Sequence, residues 1–261
     1  MTKAGAKAIR VAVLLAVLAI VLVYAAHDVI ARRSRNEWQR TLDVAIVVVT
    51  EPGTDADATA ELQRRTPELA RRLRDEFRRY RPGAPAPFAF VHYGPVPLGR
   101  VAPVVSGEGL GAAARYAWDL RAFTRDVDAR AGVPTGGFDA RVYLVVRPPT
   151  EHAVVEGASE HGGRVGVARV ELDHETVELA LFVAAHELFH TLGANDHYGP
   201  DGRALLPDGL AEPELSPQFP QRRAEVMARN RPVSATSERR PESLDELGVG
   251  PATAREIGWS R

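Results

Sequence analysis

The chain contains no cysteine, which excludes a disulfide framework, a thiol nucleophile and any thiolate metal site. Methionine is nearly absent, with Met1 and Met227 the only two. Lysine is equally scarce: Lys3 and Lys7 are the only ones, and arginine carries almost all the positive charge. Neither sign of charge dominates. A formal net charge of −1 leaves no electrostatic footprint for nucleic acid, and no nucleic-acid partner is expected. No internal repeat is visible. With 261 residues, one domain with an adequate core and a short amino-terminal segment is the expected organisation.

The feature that is present is the stretch HELFHTLGANDHY, from His186 to Tyr198. His186 and His190 are four apart, so on a helix they share one face about one turn from each other. Two imidazoles placed this way can bind a single Zn²⁺. Glu187 points into the same cleft but is not placed to be a ligand. Its natural role is general base towards a zinc-bound water, whose pKa zinc lowers to roughly 7. A catalytic zinc needs three protein ligands and one open position. Gly193 stands where a helix ends on a residue of positive φ, so the chain can turn back there and bring Asp196 or His197 to the metal. A carboxylate oxygen is an acceptable zinc ligand, and an imidazole is better by type. A bare H-E-x-x-H also arises by chance, as two satisfied histidines on a buried helix. The turn glycine, the two following ligand types and the apolar run at 177–185, suited to a central buried helix, count against that reading.

The segment resembles the zinc-binding signature of the metzincin clan of metallopeptidases. More closely, it resembles a group of bacterial matrixin-like or snapalysin-like proteins with aspartate as third ligand. In that group a stretch like HELFHTLGAxDxY is followed by PQ…AE(I/V)MA and a carboxy-terminal G…TAREIGW. The counterparts here are residues 186–198, 220–228 and 250–259. The resemblance covers roughly the last ninety residues well and the earlier part only in element order. In the pattern H-E-x-x-H-x-x-G-x-x-H the third ligand is the sixth residue after the second histidine, which is Asp196 here. His197, one place out of register, stays as the alternative. The resemblance implies that Met227 is the methionine-turn residue, a hydrophobic floor beneath the zinc. There are departures: the third ligand is not histidine, and no tyrosine follows Met227 closely. Tyr198 is the nearest candidate for an oxyanion-stabilising hydroxyl, with packing at the helix exit as the other role for it.

The function these readings imply is a zinc-dependent endopeptidase acting on a peptide or protein substrate, with Zn²⁺ as cofactor and Glu187 as general base. Two alternatives are weighed against it. A gluzincin-type peptidase would take a downstream glutamate such as Glu225 as third ligand, and would leave Gly193 and Asp196 without a role. A non-catalytic, membrane-tethered zinc-binding domain would have no need of Glu187.

Residues 11–26 form an uninterrupted apolar run behind Lys3, Lys7 and Arg10. That is long for a signal-peptide core and slightly short for a spanning helix, although Arg10 can snorkel to extend it. Arg32, Arg33 and Arg35 follow, so the charge bias across the run is weak. An uncleaved signal-anchor, with the catalytic domain membrane-anchored outside the cytoplasm, is the expectation. A cleaved signal peptide ending near Ala25 or Ala26, and so a secreted protein, is the alternative. The expected division is 1–30 as anchor or signal, 31–42 as linker and 43–261 as the metallopeptidase-like domain, with an upper part at 43–193 and a lower part at 194–261.

Within that domain the β-branched run DVAIVVVT at 43–50 predicts a buried strand. Leu62, Leu69, Leu73 and Phe77 lie on one stripe of a helix over 59–80, whose arginines form a solvated face. Residues 88–93 predict a second strand, 109–131 a second amphipathic helix and 141–147 (RVYLVVR) a third strand. Residues 162–172 read as an edge strand just before the zinc helix. The metzincin resemblance implies that residues 166–172 pair with an extended substrate, an ordinary edge strand being the alternative. Residues 194–226, rich in proline, glycine and aspartate, are expected to wall the cleft, and Asp196, Asp201 and Asp208 lack EF-hand spacing. Short helices are expected at 241–247 and 251–259. His152, His161 and His174 have no ligand spacing and read as surface or loop histidines. The element order predicts an α/β sandwich: a mixed, mostly parallel sheet, a central zinc-binding helix and a small irregular, partly helical carboxy-terminal subdomain.

Overall fold

The computed structural model describes residues 33–104, 107, 109–134, 136–150, 156–159 (backbone only) and 162–260, with 12–16, 18–19, 22–23 and 29 near the amino terminus. The anchor or signal segment expected at 1–30 falls largely outside the described residues. Among those described, no helix is long and apolar enough to cross a membrane.

Residues 38–261 form one compact unit. Strand β1 (Leu42–Thr50) lies between β2 (Phe88–Pro97) and β3 (Ala140–Arg147), and β3 is followed by β5 (Val165–Glu171), all four parallel. Strand β4 (Glu156–Ser159) pairs antiparallel with β5, giving the sheet order β2-β1-β3-β5-β4. The class is therefore α/β with a mixed, mostly parallel sheet, as expected from the element order. The central strands are apolar without a break over residues 44–49 and 142–146 because both of their faces are buried there. Val44, Ile46 and Val48 of β1 face one core, while Ala45, Val47 and Val49 face another on the opposite side.

Helices cover both faces. Helix α1 (Ala56–Tyr80) packs Leu62, Leu69, Leu73 and Phe77 into the first core. Its amino terminus is capped by Asp55, whose side chain accepts from the amides of Asp57 and Ala58. Helix α2 (Leu110–Ala131) places Leu120, Phe123 and Val127 in the second core. Helix α3 (Val177–Thr191) joins α1 on the first face, and eleven of its fifteen residues are buried. A one-sided helix would not bury that many. Its outer side is covered by Ala224, Val226, Met227, Leu244, Leu247 and Val249, which belong to the same apolar cluster as the sheet residues. The carboxy-terminal region contains a 3-10 turn at Leu244–Glu246 and helix α4 (Pro251–Glu256), where short helices were expected.

Two expectations are corrected. Strand β5 is not an edge. It is paired with β3 along its length and with β4 at residues 166–169, so over that stretch it has no free backbone edge to offer an extended peptide. Strand β4 has the composition EGAS, with no β-branched or aromatic residue to mark it, and this hid the true edge from sequence reading. The linker expected over 31–42 is also shorter than expected, because the compact unit begins at Trp38. That ring is buried among Phe77, Phe88 and Trp259, at centroid distances of 5.4–5.8 Å, and its Nε1–H donates to the Ile257 carbonyl at 2.7 Å.

His92 on β2 sits against α1. The Thr66 hydroxyl donates to the Leu62 carbonyl, so it accepts from His92 Nε2, and burial lowers the imidazole pKa to about 4. The unfolded chain, with an ordinary pKa near 6.5, binds more protons than the folded chain between these values. Stability is therefore expected to fall on acidification from about pH 6.5 to about pH 4 and to show no His92 contribution above that window. In His92→Gln, which keeps an N–H for Thr66, chemical denaturation at pH 4.5 and pH 7 should show a smaller acid loss than the wild type. Equal losses would show that His92 is not held neutral.

Candidate metal centre

Helix α3 presents His186 and His190 on one side, one turn apart, and ends on a left-handed residue. Gly193 has φ 98°, its amide donates to the His190 carbonyl at 3.0 Å, and the Ala194 amide donates back to the Phe189 carbonyl at 3.1 Å. This pair of bonds closes the helix in a Schellman motif. The chain then reverses, and the Ala194 carbonyl accepts a hydrogen bond from His190 Nδ1 at 2.9 Å. His186 Nδ1 donates in the same way to the Val226 carbonyl, at 2.9 Å.

These two bonds fix the tautomers. With both Nδ1 atoms donating to carbonyls, the neutral rings carry lone pairs at Nε2. The two Nε2 atoms lie 3.0 Å apart, and Asp196 Oδ1 is 3.3 Å from one and 3.2 Å from the other. With neutral rings, three acceptor atoms thus converge on one point, an arrangement that repels itself unless a cation or a proton sits between them. For zinc bonded at about 2.0–2.1 Å, the ligand–ligand distance in a tetrahedron is about 3.3 Å. The observed triangle has nearly that size. His186, His190 and Asp196 form the one group of three or more metal-ligating side chains found among the described residues. Anchoring each imidazole through a backbone carbonyl is also the usual way of orienting a metal-ligating histidine.

The electrostatics agree with this geometry. Burial by itself would raise the Asp196 pKa and lower that of His186. A proton on a histidine Nε2 relieves the repulsion by donating to the carboxylate, and this hydrogen bond and charge outweigh burial, so Asp196 is held well below the usual carboxylate range and His186 is raised. Glu187, on the same helix, is 2 % exposed and close enough to act electrostatically on His186. The Tyr198 ring stacks on His186 at a centroid distance of 6.4 Å, and the Arg229 guanidinium lies over the Tyr198 ring, 5.6 Å from its centroid. Burial, and then the charge and hydrogen bond of Asp196, push the Tyr198 hydroxyl up to about 12.

His197, the alternative third ligand, is turned away from this group. It is buried, with Nδ1 3.3 Å from Thr253 Oγ1 and Nε2 3.4 Å from Glu256 Oε2. Glu225, the alternative downstream ligand, is not brought to the histidines either. Its fully buried carboxylate accepts from the Met227 amide at 2.5 Å, the Gly250 amide at 3.2 Å and the Thr253 hydroxyl at 2.7 Å. Met227 is buried, and it directly follows the residue whose carbonyl orients His186. Its own carbonyl accepts from the His197 amide at 2.8 Å. His174 is exposed beside Glu61 and Asp55, and His152 and His161 lie outside the described residues. The carbonyls of Val226 and Ala194 had no sequence signal, because a backbone acceptor leaves no residue-type mark. Glu256, 61 positions from the Asn195 it binds, had none either.

No protein-family model matches this chain, and no curated protein matches it.

A Cβ added at Gly193 would meet nothing within 4 Å, so only the backbone conformation opposes a side chain there. Gly193→Ala should cost about 1–2 kcal/mol of stability by denaturant titration, and Gly193→Asn less, because asparagine tolerates left-handed backbone better. An alanine variant as stable as the wild type would contradict the left-handed turn that returns the chain to the site.

Proposed function

We propose that this chain is a zinc-dependent endopeptidase. The observation that carries the reading is the convergence of two Nε2 lone pairs and one carboxylate oxygen at 3.0–3.3 Å. The donor set, two imidazoles and a carboxylate, suits zinc and leaves one position of a tetrahedron open, which is the catalytic arrangement rather than a closed structural one. When bound, zinc would supply an acidified water and polarise the scissile carbonyl. Glu187, next to His186 and shielded from bulk solvent, would accept the proton of the attacking water and return it to the leaving amine. Met227 would form the apolar floor of the site. The resemblance to the metzincin signature supports the same assignment. A membrane-anchored or secreted protein, with the domain outside the cytoplasm, is part of the proposal and rests on the apolar run at 11–26.

The test is zinc analysis together with digestion of a peptide library by the purified full-length chain. Wild type should hold one zinc, and His186→Ala should lose it. Asp196→Ala should lose much more zinc affinity than His197→Ala. Glu187→Gln should keep its zinc and lose at least about a hundredfold in hydrolysis, the lower range of a general-base contribution. Undiminished zinc in His186→Ala would refute the metal site. Wild-type cleavage by Glu187→Gln would remove the assigned base.

A further inference from the structure

Two of the three candidate ligands are carried by a helix. The third is not. Asp196 lies in irregular backbone between the end of α3 and an isolated bridge at Tyr198, and its carboxylate is 43 % exposed. A metal ligand must nevertheless be held to within about half an ångström. Something outside the segment has to fix it.

The structure shows what does. Glu256, the last residue of α4, grips Asn195 with both carboxylate oxygens: Oε2 accepts from the Asn195 amide at 2.9 Å, and Oε1 accepts from its Nδ2 at 2.7 Å. On the other side of Asp196, His197 Nε2 lies 3.4 Å from the same Oε2. One carboxylate therefore engages both chain neighbours of the candidate ligand. Helix α4 is itself tied to the floor of the site, because Thr253 Oγ1 and the Gly250 amide both donate to Glu225, which accepts from Met227. The His197 amide closes the ring on the Met227 carbonyl.

We propose that Glu256 is a positioning residue for the third metal ligand, setting the place of Asp196 by holding Asn195 and His197 from α4. This rests on the reading of Asp196 as a zinc ligand. The role is distinct from a structural one. The Glu256 side chain is 26 % exposed and Asn195 is exposed, so the Asn195 groups left by truncation are free to bind water, while the buried His197 keeps Thr253 as partner. Its loss should therefore be felt in the site more than in the fold.

The experiment uses the full chain as wild type, Glu256→Ala, Glu256→Gln, Asp196→Ala and the Glu256→Ala/Asp196→Ala double variant. Zinc affinity is measured by chelator competition, coordination by the visible bands of the cobalt-substituted protein, and loop order by amide exchange in metal-free protein. Glu256→Ala should weaken zinc by about 10- to 100-fold, the usual loss for removing a group that orients a ligand, and should alter the cobalt bands. Glu256→Gln, which keeps one oxygen for the Asn195 amide, should fall between it and wild type. The double variant should bind no more weakly than Asp196→Ala alone, because Glu256 acts through Asp196. Metal-free Glu256→Ala should exchange faster at residues 194–198 while melting within about 3 °C of wild type. If Glu256→Ala fails to fold, Asn195→Ala, which removes one of the two hydrogen bonds and leaves α4 intact, should weaken zinc partially. Wild-type zinc affinity and cobalt bands in Glu256→Ala, or additive losses in the double variant, would overturn the proposal. A wild type that binds no zinc would overturn the metal reading itself. In that case faster exchange confined to 194–198 in Glu256→Ala would still show that Glu256 holds the loop.

Discussion

Helix α3 is buried on every side, and that burial determines the arrangement around it. A helix with Val177, Ala180, Leu181, Phe182, Val183 and Phe189 buried around its circumference cannot rest on a sheet alone, because part of that apolar surface would stay in water. The carboxy-terminal region covers the remainder with Val226, Met227, Leu247, Val249, Ile257 and Trp259, in the same cluster as the sheet. The upper and lower parts expected from the sequence thus share one core. The floor of the candidate metal centre is also the wall of that core. The His186 anchor, the carbonyl of Val226, is contributed by a residue whose side chain is fully buried in it.

The polar groups at the centre are costly in isolation and compatible together. Two lone pairs and a carboxylate oxygen meeting at about 3 Å repel one another in a low-dielectric setting. They stay in place because their other atoms are committed: each Nδ1 to a carbonyl, and the segment carrying Asp196 to Glu256. On the zinc reading proposed above, this arrangement is the preorganisation a metal site needs. The Glu225–Thr253–His197 network serves the same end from below. It satisfies a fully buried carboxylate with three donors while tying α4 to the Met227 turn.

Most of the fold was legible in the sequence because its signals are local. DVAIVVVT at β1, RVYLVVR at β3 and the leucine stripe of α1 are each read from a single period. Strand β4 was not, since EGAS has no strand propensity of its own and becomes a strand only by pairing with β5. Trp38 was placed in a linker because it stands alone among polar residues. Its partners Phe77, Phe88 and Trp259 are distant in sequence, and only the fold brings them to it.

At the candidate site the division is sharper. The four-residue spacing of His186 and His190 and the turn glycine at 193 are properties of one helix and its end, so the sequence by itself determined that two imidazoles share a face and that the chain reverses after them. Whether Asp196 or His197 turns towards the two histidines depends on a single step of register in irregular backbone, which no local periodicity constrains. The tertiary structure decided it. Thr253, Glu225 and Glu256 draw His197 into a polar pocket under α4, and the same Glu256 holds Asn195, which leaves Asp196 facing the histidines. Helical spacing is fixed by hydrogen bonds between near neighbours. The direction of a loop side chain is fixed by groups some sixty residues away, which only the packed chain can bring to it.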